Sequence, residues 1–255
     1  MLSFVGLGLW DEEDLTLKGL ARAQRADVVY IEFYTSHWHG NIKSLEKIIK
    51  KKINILKRED LEEKSDKILE EAKEKKVVIL VPGDPLIATT HISLISNVIK
   101  NDIEVEVIHN ASIYSAIAET GLHIYKFGGS ATIPLPEKTS EVLPLSTYET
   151  LKGNANIGLH TLLFLDVVSN GKYMTPNQAI KTMLELEEFM RQKIFTDNTK
   201  IIVFGRAGSD DPLILYGKVK DLLYKNFGEP PFVIIIPGKL HFTEKEFLEF
   251  YKVKR

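Results

Sequence analysis

The sequence predicts an α/β protein built from two α/β domains, and three observations lead to this fold class. Short apolar segments alternate with amphipathic segments in the first half of the chain, as in parallel sheets whose strands are joined by helices. The run Val77-Val78-Ile79-Leu80-Val81 has no polar residue, which is typical of a strand buried on both faces. After residue 111 the pattern changes, and glycines and prolines precede new apolar runs.

The first domain, residues 1–111, is predicted to contain parallel strands separated by helices. Such strands are joined by right-handed crossovers. Asp14 or Thr16 caps the first helix, whose apolar face carries Leu17, Leu20, Ala21 and Ala23. The predicted strands cover residues 2–5, 28–33, 53–56, 77–81 and 105–108, and the later helices cover residues 41–51, 62–73 and 90–99.

The second domain, residues 112–255, is predicted to begin with a helix over residues 112–120. Thr175 and Pro176 start another helix, because proline is favoured at the first helical position. Thr243 and Glu246 have the spacing of a capping box for a final helix. The predicted strands of this domain cover residues 159–165, 201–204, 214–216 and 232–236.

The composition of the 255 residues excludes several classes of function. The chain has no cysteine, which excludes disulfides, thiolate catalysis and thiolate metal sites. The formal charge of -2, from 33 basic and 35 acidic side chains, is no general signature of nucleic-acid or membrane binding. No apolar run approaches the roughly 20 residues of a membrane span, and no basic region typical of a signal peptide precedes the first strand. We therefore expect a cytoplasmic protein that binds neither membranes nor nucleic acid.

A rigid loop, Pro82-Gly83-Asp84-Pro85, follows the most apolar run. The prolines fix φ and lack a backbone donor, whereas the glycine accepts a positive φ. Such a loop lies beyond the carboxyl end of a parallel strand, where open α/β sheets bind their ligands. Asp84 fits two roles equally well, a ligand contact or a turn residue that bonds its own backbone.

The segment Gly6-Leu7-Gly8 begins like the dinucleotide-binding fingerprint, but Asp11 stands where that motif needs a third small residue. The neighbouring acidic residues also disfavour a phosphate at this turn. Glu32 ends the second predicted strand, where a ribose is bound in such proteins, but it lies beside a broken motif. An NAD-dependent oxidoreductase is therefore only a minor alternative.

Two further loops each allow two interpretations. His37 and His39 would share one face of a strand and bind a metal there, but Glu32 is the one further ligand type nearby, and a surface or interface role is favoured. We therefore predict no metal site. Residues 205–209 contain two glycines after an apolar strand, which suits either close approach to a ligand or a plain turn.

Taken together, these loops resemble those of the tetrapyrrole-methylase-like fold, a two-domain class of S-adenosylmethionine-dependent methyltransferases. The resemblance covers nearly the whole chain, and within this class the chain is similar to the diphthine synthase family. Trp10 and Phe232 depart from the pattern, and residues 129–157 and those after 242 resemble it loosely. The segments that carry the resemblance are residues 4–9, 14–20, 32–36, 82–91, 112–116, 120–128, 158–166, 206–209 and 237–241.

The resemblance implies a parallel five-stranded N-terminal sheet, a mixed C-terminal sheet and a cofactor in the cleft between the domains. It implies that S-adenosylmethionine methylates the amine of a 3-amino-3-carboxypropyl group on a histidine of translation elongation factor 2. Three transfers would give diphthine, in diphthamide biosynthesis, and each would release S-adenosylhomocysteine. The resemblance also implies a homodimer. No catalytic base is identified from the sequence.

The same resemblance implies a set of cofactor contacts at Leu9, Asp84, Ile87, Ser112, Ile113, Leu165, Ala207 and Phe232. The amides of Ser112 and Ile113, at the start of a predicted helix, would meet the methionine carboxylate. Asp84 would accept from a cofactor hydroxyl or face its cationic part. The last three residues of the set would form an apolar wall for adenine.

Two other functions stay open. A tetrapyrrole C-methyltransferase on the same fold would bind a polycarboxylate and should collect basic side chains, but only Arg206 and Lys126 stand near the expected cleft. A non-catalytic regulator would bind the cofactor and a translation factor without transferring a methyl group. Turnover distinguishes this regulator from an enzyme.

Overall fold

The structure, a computed structural model, describes residues 1–140, 142–168 and 172–253. The chain forms two compact units, Met1–Ala116 and Ile117–Arg255. The domain boundary after residue 111 and the expected position of the cofactor between the domains stay predictions. Within the described ranges, no helix has the length and apolar character needed to cross a membrane.

A parallel five-stranded sheet forms the centre of the first unit, as predicted. Its order is β3-β2-β4-β1-β5, so β1 lies between β4 and β5. Each residue of β4 is buried, which explains the wholly apolar sequence of this strand. The strands are β1 (Leu2–Gly6), β2 (Val28–Glu32), β3 (Ile53–Leu56), β4 (Val77–Val81) and β5 (Val105–Ile108).

Two hydrophobic cores form on the opposite faces of this sheet. Ile79 of β4 belongs to the core that includes Leu69 and Leu94, whereas its neighbour Leu80 belongs to the core that includes Leu45. This alternation follows from the two-residue period of a strand. The helices of the unit are α1 (Leu17–Gln24), α2 (Ile42–Ile49), α3 (Arg58–Glu62), α4 (Asp66–Glu74), α5 (His91–Lys100) and α6 (Ile113–Ala116).

The first helix is capped by Thr16, whose hydroxyl accepts the amide of Gly19 at 3.0 Å. Asp14, the other predicted cap, instead binds two amides of the preceding loop. Leu17 was expected on the apolar face, but it is 86 % exposed. It occupies the first helical position, and the buried residues of α1 are Gly19 and Ala23.

Two predicted helices are shorter than expected. The helix predicted over residues 62–73 begins only at Asp66, as α4. The separate short helix α3 ends at Glu62, because the amides of Glu63 and Lys64 both return to the carbonyl of Glu59. The helix predicted over residues 112–120 is α6, followed by a 3₁₀ turn, Ile117–Thr120.

A mixed sheet forms the centre of the second unit, as predicted, and it contains a fifth strand, β6, that was not predicted. Its order is β11-β10-β12-β7-β6, with one parallel pair, β6 and β7, and antiparallel pairs elsewhere. The strands of this sheet are β6 (Ala131–Ile133), β7 (Thr161–Leu165), β10 (Lys200–Gly205), β11 (Leu213–Lys218) and β12 (Phe232–Ile236), and a small ribbon pairs β8 (Val167–Val168) with β9 (Lys172–Tyr173).

The helices of the second unit include two that the sequence did not predict, α9 and the longer α7. The last residue of α7 is followed by Gly158 with φ +75°, the usual left-handed helix end. The final helix is capped by His241 and Glu244 and not by the predicted pair Thr243 and Glu246. The helices are α7 (Leu145–Ile157), α8 (Pro176–Met190), α9 (Val219–Leu222) and α10 (Phe242–Leu248).

Candidate functional site

Three loops of the first unit leave the same edge of the sheet. They follow the carboxyl ends of β1, β4 and β5, which are neighbours in the sheet. In open parallel sheets, this edge is where ligands bind. The residues predicted to contact the cofactor in this unit all follow these three strands, at positions 9, 84, 87, 112 and 113.

The first and second loops are joined by their backbones. The amide of Gly8 donates to the carbonyl of Gly83 at 3.2 Å, and the amide of Gly83 donates to the carbonyl of Gly8 at 2.7 Å. Gly8 has φ +86° and Gly83 has φ +70°, so both positions need the conformational freedom of glycine. A Cβ atom on Gly6 would lie 2.6 Å from the carbonyl oxygen of Gly83, which explains this glycine as a close-approach position.

Asp84 is almost wholly buried, with 6 % of the residue exposed. Its Oδ1 accepts the amide of Leu86 at 3.0 Å, which is the turn-forming role that its sequence allowed. Its Oδ2 contacts Nδ1 of His109 at 2.8 Å and accepts the amide of Asn110 at 3.2 Å. The carboxylate therefore links the loop after β4 to the loop after β5.

Asn110 connects the remaining loop to this network. Its side-chain amide donates to the carbonyls of Gly6 and Asp14, both at 3.0 Å. The carboxylate of Asp14 accepts the amides of Leu9 and Trp10 at 3.0 and 2.7 Å. The position of Leu9 is thus fixed by an acid from its own loop, and all three loops form one hydrogen-bonded framework.

The second loop has open space beside it. Apart from its chain neighbours, a Cβ atom on Gly83 would have no heavy atom within 4 Å. Ile87, four residues later, is 37 % exposed. The rigid loop therefore leaves open space beside Gly83, and the cofactor contacts at this loop stay a prediction.

The loop after β5 leads into the short helix α6. Ser112 is 7 % exposed, and its amide donates to the hydroxyl of Ser115 at 3.1 Å. Because α6 has only four residues, its dipole is small, and the predicted capture of a carboxylate by the Ser112 amide competes with the Ser115 hydroxyl.

An apolar edge in the second unit contains the other predicted contacts. Gly205 pairs with Phe232, and Val233 pairs with Phe164, so the end of β7, the end of β10 and the start of β12 lie side by side. The predicted residues at this edge are Leu165, Ala207 and Phe232, of which Ala207 is 6 % and Phe232 is 8 % exposed.

The two basic side chains that a polycarboxylate would need are both engaged within the second unit. Arg206 donates to the carbonyls of Phe227 at 2.9 Å and Asp211 at 3.1 Å, and its side chain is 14 % exposed. Lys126 forms an ion pair with the fully buried Glu244 and donates to the carbonyl of Lys239.

Glu32 is fully buried at the end of β2. One carboxylate oxygen accepts the amides of Tyr34 and Thr35 at 2.9 and 3.1 Å, and the other accepts the hydroxyl of Thr35. Burial raises the pKa of this carboxyl to about 7, although these hydrogen bonds offset part of the effect. With its acceptors used by its own loop, Glu32 is not placed to bind a ribose.

His37 and His39 lie in a cluster of rings. Their centroids are 4.2 Å apart, and His39 stacks on Trp10 at 3.8 Å. In the described part of the chain, no three His, Asp or Glu side chains are grouped as metal ligands would be. Ring contacts, stacked for His39 and edge-to-face for His37, therefore contribute to holding these histidines in place.

Sequence reasoning missed His109 and Asn110. Both directly follow predicted strand 105–108, and a parallel strand brings its carboxyl end to the same edge as its neighbours. The signal was therefore present in the position of these residues, but the pairing of β5 with β1 was needed to recognise it.

Comparison with known proteins finds diphthine synthases that match nearly the whole chain. The chain is 44 % identical to a diphthine synthase of Methanocaldococcus jannaschii over 254 residues, 98 % of each chain. It is 44 % identical to a diphthine synthase of Methanococcus vannielii over 252 residues, also 98 % of each chain. A crystal structure of a diphthine synthase matches with a TM-score of 0.87 and 36 % identity, covering 98 % of this chain and 95 % of that one.

The family model of tetrapyrrole (corrin/porphyrin) methylases matches residues 1–223. This match spans the first sheet, four of the five strands of the second sheet and the three loops of the first unit. The relatives make the assignment within this family more specific, because both are diphthine synthases and each match covers 98 % of both chains. The chain therefore belongs to the tetrapyrrole methylase family, as a methyltransferase that uses S-adenosylmethionine and acts in diphthamide biosynthesis.

Proposed function

We propose that the chain methylates the amine of the 3-amino-3-carboxypropyl group on a histidine of translation elongation factor 2, and that three transfers give diphthine. The full-length similarity to diphthine synthases carries this proposal. The hydrogen-bonded framework of the first unit supports it, because methyl transfer depends chiefly on aligning the attacking nitrogen, the methyl carbon and the sulfur. In favourable model systems, such orientation lowers a barrier by roughly 7–11 kcal/mol.

In this proposal S-adenosylmethionine, which supplies an activated methyl group when bound, contacts residues of both units. The open space beside Gly83 supports contacts with the first unit. The buried apolar edge supports adenine binding in the second unit, since a planar apolar ring is favoured on such a surface. The proposed contacts are Leu9, Asp84, Ile87, Ser112, Ile113, Leu165, Ala207 and Phe232.

A tetrapyrrole substrate is disfavoured by a specific observation. Its several carboxylates need free cationic side chains, but Arg206 is bound by backbone carbonyls and Lys126 by Glu244. Breaking the Lys126 contact would leave a buried carboxylate without its ion-pair partner, which is strongly destabilising. A protein amine as the methyl acceptor does not require free cationic side chains.

Transfer of a labelled methyl group tests the proposal and both alternatives together. Three reactions each contain the chain and labelled S-adenosylmethionine. Their methyl acceptors are modified elongation factor 2, unmodified elongation factor 2 and a uroporphyrinogen. We expect label only in the modified factor. Label in the uroporphyrinogen would instead support the tetrapyrrole enzyme, and cofactor binding without any transfer would support the regulator.

We further propose that the active form is a homodimer that uses elongation factor 2 as its protein substrate. Light scattering of the purified chain should then give about twice the chain mass of 28.9 kDa. A monomer mass at the concentration used in the assay would contradict the dimer and leave the proposed reaction untouched.

A further inference from the structure

We propose that His109 accepts the proton that the substrate amine must lose before methyl transfer, and that Asp84 is the positioning residue that orients His109. The inference rests on the proposed function, because it assigns a role within that reaction. It adds a catalytic residue that neither the sequence motifs nor the relatives identify.

The contact between these residues defines the protonation pattern of the imidazole. Nδ1 of His109 lies 2.8 Å from Oδ2 of Asp84. A carboxylate is an acceptor, so Nδ1 carries the hydrogen and Nε2 of the neutral ring holds a lone pair. Within the described part of the chain, Nε2 makes no hydrogen bond. The tautomer that a proton acceptor needs is thus set by the buried acid.

The burial of the two side chains differs as the role requires. The Asp84 side chain is 7 % exposed, whereas that of His109 is 67 % exposed. Asp84 is held in place by the amides of Leu86 and Asn110, so it cannot rotate away without losing both bonds. A buried, fixed carboxylate and an exposed imidazole form an orienting pair with one face open to a substrate.

The pair also lies at the edge where the methyl donor is proposed to bind. His109 follows β5, three residues before Ser112, and its partner Asp84 follows Gly83, beside which the space is open. An acceptor at this edge can reach an amine placed for transfer without any movement of the sheet.

The two buried histidines, His91 and His160, are less suited to this role. His91 is buried, its Nδ1 contacts the carbonyl of Pro85 at 2.9 Å, and burial lowers its pKa. His160 contacts a carboxylate, Glu244, but the ring is fully buried, and its Nδ1 accepts the amide of Gly238 at 2.9 Å. Neither ring can exchange a proton with a substrate amine.

The charged groups of neighbouring elements are occupied elsewhere. Asp14, in the loop after β1, binds the amides of Leu9 and Trp10. Glu106 of β5 pairs with Arg22 of α1 at 2.7 Å, and Lys18 of α1 also approaches this carboxylate, at 3.6 Å. His91 of α5 is the buried ring described above. Asp84 is therefore the charged group in direct contact with His109.

Proton transfer to His109 precedes methyl transfer. A protonated amine has no lone pair for attack, so Nε2 of His109 accepts one N–H proton and the electron pair of that bond stays on nitrogen. This pair forms the N–C bond to the methyl carbon while the C–S bond breaks, and the C–S electrons remain on sulfur as a neutral thioether. The imidazolium, stabilised by Asp84, releases its proton to solvent through its exposed face.

The first test compares the pH profiles of kcat/KM for wild type and His109→Gln with modified elongation factor 2. We expect at least a 100-fold loss near pH 6.5, the scale of general base catalysis. The loss should shrink above roughly pH 8, where an α-amino group loses its proton unaided. The affinity for S-adenosylmethionine should stay within twofold, and imidazole should restore activity to His109→Ala. His123→Gln, at an exposed histidine near buried Glu244, is the matched control and should keep the wild-type profile.

Each outcome has a defined meaning. If wild type transfers no methyl group, the proposed function fails. If wild type is active and His109→Gln keeps its rate and pH profile, or if imidazole does not rescue His109→Ala, the proton-acceptor role fails alone. The tautomer is a readout independent of activity: ¹⁵N NMR should show the Nδ1–H form of His109 in wild type and a larger Nε2–H population in Asp84→Asn. An unchanged tautomer would contradict the positioning role of Asp84.

Discussion

At the residue scale, a buried acid makes the stability of this protein depend on pH. Burial raises the pKa of Glu32 from 4.5 to about 7. The folded chain therefore keeps this proton to a higher pH than the unfolded chain does. The contribution to stability is highest below pH 4.5 and falls as the pH rises to about 7.

The variant Glu32→Gln tests this dependence. Glutamine keeps an acceptor for the amides of Tyr34 and Thr35 and cannot ionise. A shift from 4.5 to about 7 corresponds to roughly 3 kcal/mol, so urea unfolding should show a decline of that order for wild type between pH 4.5 and 7.5. The decline should be absent in the variant. Parallel curves for both proteins would show that Glu32 does not titrate in this range.

A substitution at a second residue, Gly83, tests whether the cofactor contacts this loop. The change Gly83→Ala places a Cβ atom at φ +70° in open space, and the left-handed conformation costs about 1–2 kcal/mol. Because that Cβ enters the volume proposed for the cofactor, calorimetry should show at least a tenfold weaker affinity for S-adenosylmethionine.

The matched control for this change is Gly158→Ala, at a helix end with φ +75°. It should lose at least as much stability, because its Cβ atom would also lie 3.2 Å from the Cβ atom of Lys239, and it should keep the wild-type affinity. Equal affinities for wild type and Gly83→Ala would contradict the proposed position of the cofactor at this loop.

At the scale of elements, Glu244 attaches α10 to the rest of the second unit. Its carboxylate accepts the amides of His123 and His241 and contacts Lys126 and His160. Burial alone would raise the pKa of this acid, but these donors together lower it to about 2. Its stabilising effect is therefore present above the ordinary pKa of 4.5 and is lost as the pH falls towards 2.

Replacing Glu244 with Gln should lower the free energy of unfolding at pH 7 by about 3 kcal/mol, because Lys126 loses its partner in a half-buried site. Glu249→Gln is the control, since its pair with Lys252 is 55 % exposed on both sides and is expected to contribute less than about 1 kcal/mol. Equal losses of unfolding free energy in the two variants would show that the Glu244 contacts stabilise the fold no more than an exposed ion pair does.

A substitution in helix α7 should increase the stability of the protein. Gly153 lies inside this helix, is exposed, and a Cβ atom there would have no neighbour within 4 Å. Alanine restricts the unfolded chain and favours the helix, so Gly153→Ala should raise the free energy of unfolding by about 1 kcal/mol. A loss of stability in chemical denaturation would contradict the position of this residue in α7.

The elements also show where sequence reasoning succeeds. The strands of the first sheet were predictable because burial on both faces leaves wholly apolar runs such as β4. Helix α7 was missed because its buried residues include Thr147 and Asn154, so its apolar period is weak. The cap at His241 was missed because histidine is not a common capping residue, and only its contacts reveal it.

At the scale of the whole molecule, the fold class and the reaction class could be predicted, whereas the network within the site could not. The loop containing Asp84 was recognisable from its two prolines and its position after β4. Its contact with His109 joins residues 25 positions apart and depends on the order of β4, β1 and β5 in the sheet. Pairing of this kind is set by tertiary structure and leaves no local pattern.

The central claim is that this chain methylates the aminocarboxypropyl amine of elongation factor 2. Intact-protein mass spectrometry of the factor, after incubation with the chain and S-adenosylmethionine, tests it most directly. We predict a gain of three methyl groups on the modified factor and none on the unmodified factor. An unchanged mass of the modified factor, with cofactor binding demonstrated in the same sample, would contradict the claim.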